Sequence, residues 1–326
     1  MLALLTSWRC WLVAALAIGT GCTTTRQHTV PPRVPLVSFV FDDGYDTDYL
    51  VARDIFAEHG AVACTAITTG WINHRDHLTA DQIRALRDDG WEILGHTVSH
   101  PHLPALSYAR VEDELRRSKA TLEGLGLAIN NVVYPYTASN GKVRHVARKY
   151  YRSGRDGKNE INWNAANRYG LRAVSNPKHN LKEMKAFIER AYAQKGWLII
   201  YHHRITAEIT IAGRHGRFTE GEEVLFRPSG ARGLFLRNGH LPNASHLLFV
   251  PLSGRPQHGD RLTGATSGAT ARVGYVLQDQ RATIAELLRH VRSRHPDMQI
   301  VTVNQALDLL GAPPFAPPPK REVGPR

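Results

Sequence analysis

Cysteine is nearly absent from this chain. Its 326 residues include three, at positions 10, 22 and 64, too few for a disulfide framework. Long apolar runs are missing too. The run from Trp11 to Ile18 falls well short of the roughly 20 residues that a membrane-spanning helix needs. Nor is there a compact basic stretch with interleaved aromatics. The formal charge of +12 is spread along the chain, which argues against nucleic-acid binding and leaves anionic polymers as a class of partner. What is present is apolar substance: 42% of residues are hydrophobic, enough for one large core or two smaller ones.

The N-terminus has the layout of a secretory signal over residues 1–22: Arg9, the short apolar run, then small residues. Within it "IGTGC" resembles a bacterial lipobox, with Gly19 where leucine is commoner. That resemblance implies that Cys22 is lipidated and becomes the mature N-terminus; the alternative is an ordinary cleaved signal with an incidental cysteine. Cys10 would leave with the signal and Cys64 would stand alone, so no intramolecular disulfide is expected. Thr23 follows the cysteine, and no aspartate is there to signal inner-membrane retention. The expected location is the cell envelope, at the outer membrane facing the periplasm. Residues 23–35 are polar and proline-bearing and read as a linker.

From Leu36 strand and helix alternate. "LVSFVF", "AVACTAI", "WEILGH", "INNVVYPY" and "GWLIIYHHR" read as strands. "DTDYLVARDIFAEHG", "TADQIRALRDDG" and "SYARVEDELRRSKATLEGLG" read as helices, the second capped by Thr79 and stopped by Gly90. This order predicts a parallel α/β sheet or barrel. In such folds functional groups gather where the strands end. Asp42 and Asp43, His96, Pro135 and Tyr136, and His202 and His203 all stand at predicted strand ends. Between about 206 and 280 the rhythm gives way to short alternating runs and scattered glycines, read as a small β-rich insertion that could hold a glycan or protein partner. The α/β pattern resumes over 281–311 with "ATIAELLRHVRSRH", "MQIVTV" and "NQALDLLG". Residues 312–326 are a proline-rich tail expected to be disordered.

The stretch "FVFDDGYDTDY" poses the chemical question. Two adjacent carboxylates at the end of a buried strand repel each other and resist desolvation, unless a cation compensates them. "GHTVSH" supplies His96 and His100 four residues apart, a spacing at which one helical turn would put both imidazoles on one face. Alone the pair means little, since 17 histidines in 326 residues place about one such pair by chance. Beside an aspartate it completes a common three-ligand set that leaves a metal open to water.

"FVFDDGYDTDY", "LTADQIRALRDDGWEILGHTVSHPHL" and "VVYPYTASNG" resemble, in order and spacing, successive motifs of the polysaccharide deacetylases of NodB-homology type, carbohydrate esterase family 4. The resemblance covers about residues 36–205 and 281–311. It implies a distorted (β/α) barrel and hydrolysis of N-acetyl groups on a polysaccharide. It also implies one divalent metal held by Asp43, His96 and His100, with Zn2+ favoured by the donor set and Co2+ or Ni2+ as substitutes. Asp42 would be the general base, the backbone N–H of Tyr136 an oxyanion donor, and a late-strand histidine the general acid. His202 and His203 compete for that last role. Side-chain alternation with Leu198 and Ile200 favours His202, whereas the spacing from Gly196 and the following "RI" favour His203.

Two positions depart from the family pattern. The third motif usually begins with an arginine that orients the base; Val133 stands there instead. The fourth motif offers only Trp163 as a candidate. Val133 gives some footing to a second class of function, a barrel without catalysis that binds glycan. A glycosidase is disfavoured, because its two carboxyls sit about 5–10 Å apart across the scissile bond.

Overall fold

The computed structural model describes residues 34–176, 180–238 and 245–316. The signal, the proposed lipid site at Cys22, most of the linker and the end of the tail lie outside them. Among the described residues no helix is long and apolar enough to cross a membrane.

Eight strands form a parallel sheet: β1 (Leu36–Phe41), β2 (Cys64–Ile67), β3 (Glu92–Gly95), β4 (Asn131–Val133), β5 (Ser153–Arg155), β6 (Val174–Ser175), β7 (Trp197–His202) and a late two-residue strand, Gln299–Ile300, that pairs with the start of β1. The spatial order of β1 to β7 is β5-β4-β3-β2-β1-β7-β6. The two edges approach each other through an isolated parallel bridge between Arg155 and Leu171. Asp156 N–H donates to Leu171 O at 2.7 Å, and Leu171 N–H to Gly154 O at 3.0 Å. The expected distorted barrel is thus an α/β sheet curled far round, its seam held by irregular bonds and no full ladder. Every residue of β1 and of β7 is buried, as parallel strands covered on both faces require.

One face of each strand meets the helices. Phe39, Phe41, Leu198 and Ile200 pack there with Ile55, Phe56, Leu86 and Leu115. The other face, with Val40, Val133, Ile199 and Tyr201, forms the barrel interior. The covering helices are α1 (Arg53–Glu58), α2 (Ala80–Asp88), α3 (Tyr108–Gly124), α4 (Gly141–Ala147), α5 (Leu181–Ala193) and α6 (Gln280–Arg294), whereas α7 (Val303–Leu309) packs Val303, Ala306 and Leu307 with the interior face. Thr79 caps α2 in a reciprocal box with Gln82, satisfying two otherwise orphan N–H groups. Thr302 does the same for α7 with Gln305, so "MQIVTV" yields only a two-residue strand, Gln299–Ile300.

The β-rich insertion is a closed antiparallel barrel of six strands. They are β8 (Ala207–His215), β9 (Glu223–Arg227), β10 (Arg232–Asn238), β11 (His246–Ser253), β12 (Arg261–Gly264) and β13 (Thr270–Asp279); the Gln299–Ile300 strand is then β14. Phe218, Phe226, Phe235, Phe249 and Leu262 fill its interior, while Val250, Leu234 and Leu252 pack against the main core. Closing the barrel removes the exposed edges that an isolated antiparallel sheet would present.

Candidate metal centre and active site

The ends of β1, β3, β4, β5 and β7 meet at one mouth. Asp43 follows β1 in a left-handed conformation, φ 78°, and Gly44 continues it at φ 73°. A side chain at Gly44 would meet Ile67 Cδ1 at 3.1 Å, so glycine is needed there both for the turn and for the space. The turn brings Asp43 Oδ1 to 3.3 Å from Nε2 of His96 and to 3.3 Å from Nε2 of His100. The three ligand atoms form one cluster. Neither contact is aligned as a hydrogen bond, and among the described residues Asp43 Oδ1 is buried without a hydrogen-bond partner. Edges near 3.3 Å are what a tetrahedral ion with bonds of about 2.0–2.1 Å sets between its ligands. The donor set and its spacing therefore fit a divalent cation.

The backbone route to this cluster differs from the expected helical turn. Residues 96–100 form a bent loop, with Thr97 at φ 68° and His100 at φ 56°. Buried Glu114 on α3 holds the loop by accepting from Val98 N–H at 2.8 Å, Ser99 N–H at 3.0 Å and Ser99 Oγ at 2.7 Å. His96 Nδ1 lies 2.8 Å from the Val133 carbonyl. Donating there leaves Nε2 as the free donor for a metal, the usual way an outer partner fixes a ligating histidine. Tyr136 and Thr137 add two more left-handed residues, at φ 57° and φ 53°, so strained backbone concentrates around this mouth. Burial works to raise the Asp43 carboxyl, but the ring nitrogens of His100 and His96 outweigh it and hold it far below the usual carboxylate range.

Asp42 points into the barrel. There Arg155, at the end of β5, places Nη2 2.6 Å from Asp42 Oδ1 and also in contact with Oδ2. Both side chains are almost fully buried. The guanidinium carbon lies 4.6 Å from the centre of the Tyr201 ring, a cation–π contact that helps a buried cation. This arginine escaped the sequence reading: β5 has three residues and no alternation to betray it. The only hint was the vacancy that Val133 leaves in the third motif.

The two late histidines have opposite surroundings. His202 is buried, its Nδ1 lies 3.2 Å from Asn176 Nδ2, and its ring stacks on Phe41. Its partner is thus an amide side chain. Burial, with His203 adding to it, pushes the His202 imidazole down to about 3. His203 is exposed and lies close enough to Asp43 to help lower its carboxyl. Alternation could not separate the pair, because both faces of β7 are buried.

Tyr136 is 63% exposed, and its ring packs edge-on to His100 with centroids 4.7 Å apart. Its N–H has no acceptor among the described residues. Trp71, which the sequence reading did not single out, also stacks on His100, with centroids 5.4 Å apart. Trp163 does not join the mouth. The bridge of its neighbour Asn162 to Trp197, the first residue of β7, places it at the opposite end of the strand from His202.

Comparison with known proteins places the similarity in the N-terminal part of the chain. The polysaccharide deacetylase family model matches residues 29–153. The Bacillus subtilis (strain 168) protein YxkH, assigned to the polysaccharide deacetylases, is 27% identical over 119 residues, 36% of this chain and 43% of its own. A chitin deacetylase of Colletotrichum lindemuthianum is 31% identical over 134 residues, 38% of this chain and 54% of its own. The chain thus spans about half the length of these curated relatives. Among solved structures, the Streptococcus pyogenes deacetylase PplD in complex with acetate is 26% identical, with a TM-score of 0.38 over 42% of this chain and 64% of that one. Over residues 29–153 the chain is thus similar to the polysaccharide deacetylase family.

Proposed function

We propose that the protein is a metal-dependent hydrolase that removes N-acetyl groups from a polysaccharide. One observation carries the reading: Asp43 Oδ1 lies 3.3 Å from Nε2 of both His96 and His100, beside a second carboxylate held by a buried arginine. A divalent ion bound by Asp43, His96 and His100 would supply Lewis acidity and offset the anionic pair. Zn2+ suits the donor set best, with Co2+ or Ni2+ as substitutes.

The chain's own groups account for the proton movements. Asp42, oriented by Arg155, takes the proton of the attacking water as it adds to the acetyl carbonyl carbon. The free N–H of Tyr136 faces the oxyanion that develops, and contributes without reorganising. Collapse of the tetrahedral species expels the amine, which takes a proton from a late-strand histidine. His203 suits that role better than His202, because a buried imidazole with so low a pKa carries no proton to give near neutral pH. The exposed Tyr136 ring and Trp71 pack on His100 and offer stacking faces to sugar rings.

An N-acetylated envelope or matrix polysaccharide is the substrate class, and attachment through lipid on Cys22 to the outer membrane, facing the periplasm, is the location that fits the leader. The glycan-binding alternative rests on Val133; Arg155 against Asp42 weakens it, since the base keeps an arginine from another strand. The test is acetate release from a panel of N-acetylated polymers with and without a chelator. Release that the chelator abolishes is expected. Tight polymer binding with no acetate from any member of the panel would favour the binding module.

A further inference from the structure

A second cluster of ligating side chains lies away from the mouth, between α5 and α6. Glu189 on α5 faces His290 on α6 and His295, the residue that ends α6. Glu189 Oε1 is 2.8 Å from His290 Nε2 and 3.0 Å from His295 Nε2. The spacing of five between the histidines is not one that a helix brings to a single face. Here His295 leaves helical geometry, at φ −137° and ψ 65°, which folds its ring back towards His290.

His295 is the unusual member. Its side chain is 8% exposed, yet among the described residues Nδ1 has no hydrogen-bond partner, and Nε2 is near the Glu189 oxygen without being aligned to it. The ring stacks on Tyr192 with centroids 3.9 Å apart, which fixes its plane. A buried imidazole whose one nearby partner is met off-axis leaves hydrogen-bonding capacity unused, which is costly. Binding an ion through Nε2 would use that nitrogen's lone pair in full.

We propose that Glu189, His290 and His295 form a second divalent-metal site, of zinc type, independent of the centre at Asp43. Two imidazole nitrogens and one carboxylate oxygen are a standard zinc donor set, with water completing the tetrahedron. The edges must widen by a few tenths of an ångström towards about 3.3 Å. Glu189 can do this, since its side chain is 47% exposed. Its donors come from two helices, so the role proposed for it is to join them. α5 leads into β7 and α6 follows the inserted barrel, so the ion ties together two helices through residues 101 positions apart, beside the Lys185–Glu286 ion pair that already links them. A link closing so long a loop restricts the unfolded chain strongly.

The experiment is zinc stoichiometry on the full chain, with free zinc held low by a chelating buffer. Wild type should bind two ions per chain, and His290→Ala or Glu189→Gln one. In a His96→Ala/His100→Ala background one ion should remain, and adding His290→Ala should remove it. Zinc should also raise the melting temperature of that background variant, and not of the version carrying His290→Ala. If wild type binds a single ion that His290→Ala abolishes, the second site stands and the catalytic reading fails. Should His290→Ala not fold, Glu189→Gln gives the same readout at a half-exposed side chain. Unchanged zinc content in Glu189→Gln and in any folded His290→Ala protein would overturn the proposal.

Discussion

Arg155 Nη2 lies 2.6 Å from Asp42 Oδ1, across the barrel interior from β5 to β1. The two residues are 113 positions apart and both nearly solvent-free. The pair supplies from a neighbouring strand what the third motif lacks at Val133. It is also exposed to a sharp penalty, because removing one partner leaves the other charged and buried.

Arg155→Met should therefore lower stability by roughly 3–5 kcal/mol, and adding Asp42→Asn should recover part of that loss. Denaturant unfolding of the two variants checks it. Additive losses would mean that the pair is not coupled.

Arg155→Lys keeps the charge but not the planar group over Tyr201. It should hold metal content near wild type and reduce acetate release about 100-fold, the scale of cost when a catalytic group is displaced by an ångström. Parallel metal analysis and kinetics separate the outcomes. A loss of metal in this variant would show that Arg155 acts through the ligands and not through the base.

The metal assignment has its own test. His96→Ala should sharply reduce the metal that depends on Asp43 and His100, as read in a background carrying His290→Ala. Full occupancy in that protein would exclude the ligand set.

His202 gives a pH dependence of stability. Its folded pKa, about 3, lies below the ordinary 6.5. The unfolded chain therefore binds the extra proton first as pH falls. The contribution is fully present above about pH 6.5 and is lost progressively on acidification towards about pH 3. Between about pH 6.5 and pH 5 the loss is at most about 2 kcal/mol, at about 1.4 kcal/mol per pH unit. His202→Phe, stacking on Phe41 in its place, should flatten that slope. An unchanged slope would place the acid sensitivity elsewhere.

Much of the fold could be read from the sequence where elements are long and regular. β1, α2 and α3 stand close to where their apolar patterns put them, and the switch to short alternating runs marked the inserted barrel. The legible part of the site was the part built from neighbours in sequence, Asp42 with Asp43 and His96 with His100. Their convergence required the left-handed turns at Asp43, Thr97 and His100, which no periodicity encodes. Arg155 was missed because a three-residue strand carries no pattern, and because its partner is remote in the chain. Trp163 was misplaced for a related reason. A single aromatic in an irregular stretch gives no sign of which end of the barrel it will occupy.

The central claim is that Asp42 moves the proton while Asp43 and the two histidines hold the metal. Asp42→Asn separates these roles, because the amide keeps the shape and can still hydrogen-bond but cannot accept the proton. Metal content, polymer affinity and acetate release are to be measured on one preparation of this variant beside wild type. Metal and affinity should be nearly unchanged, with acetate release reduced about 100- to 10,000-fold. Acetate release at the wild-type rate would contradict the account.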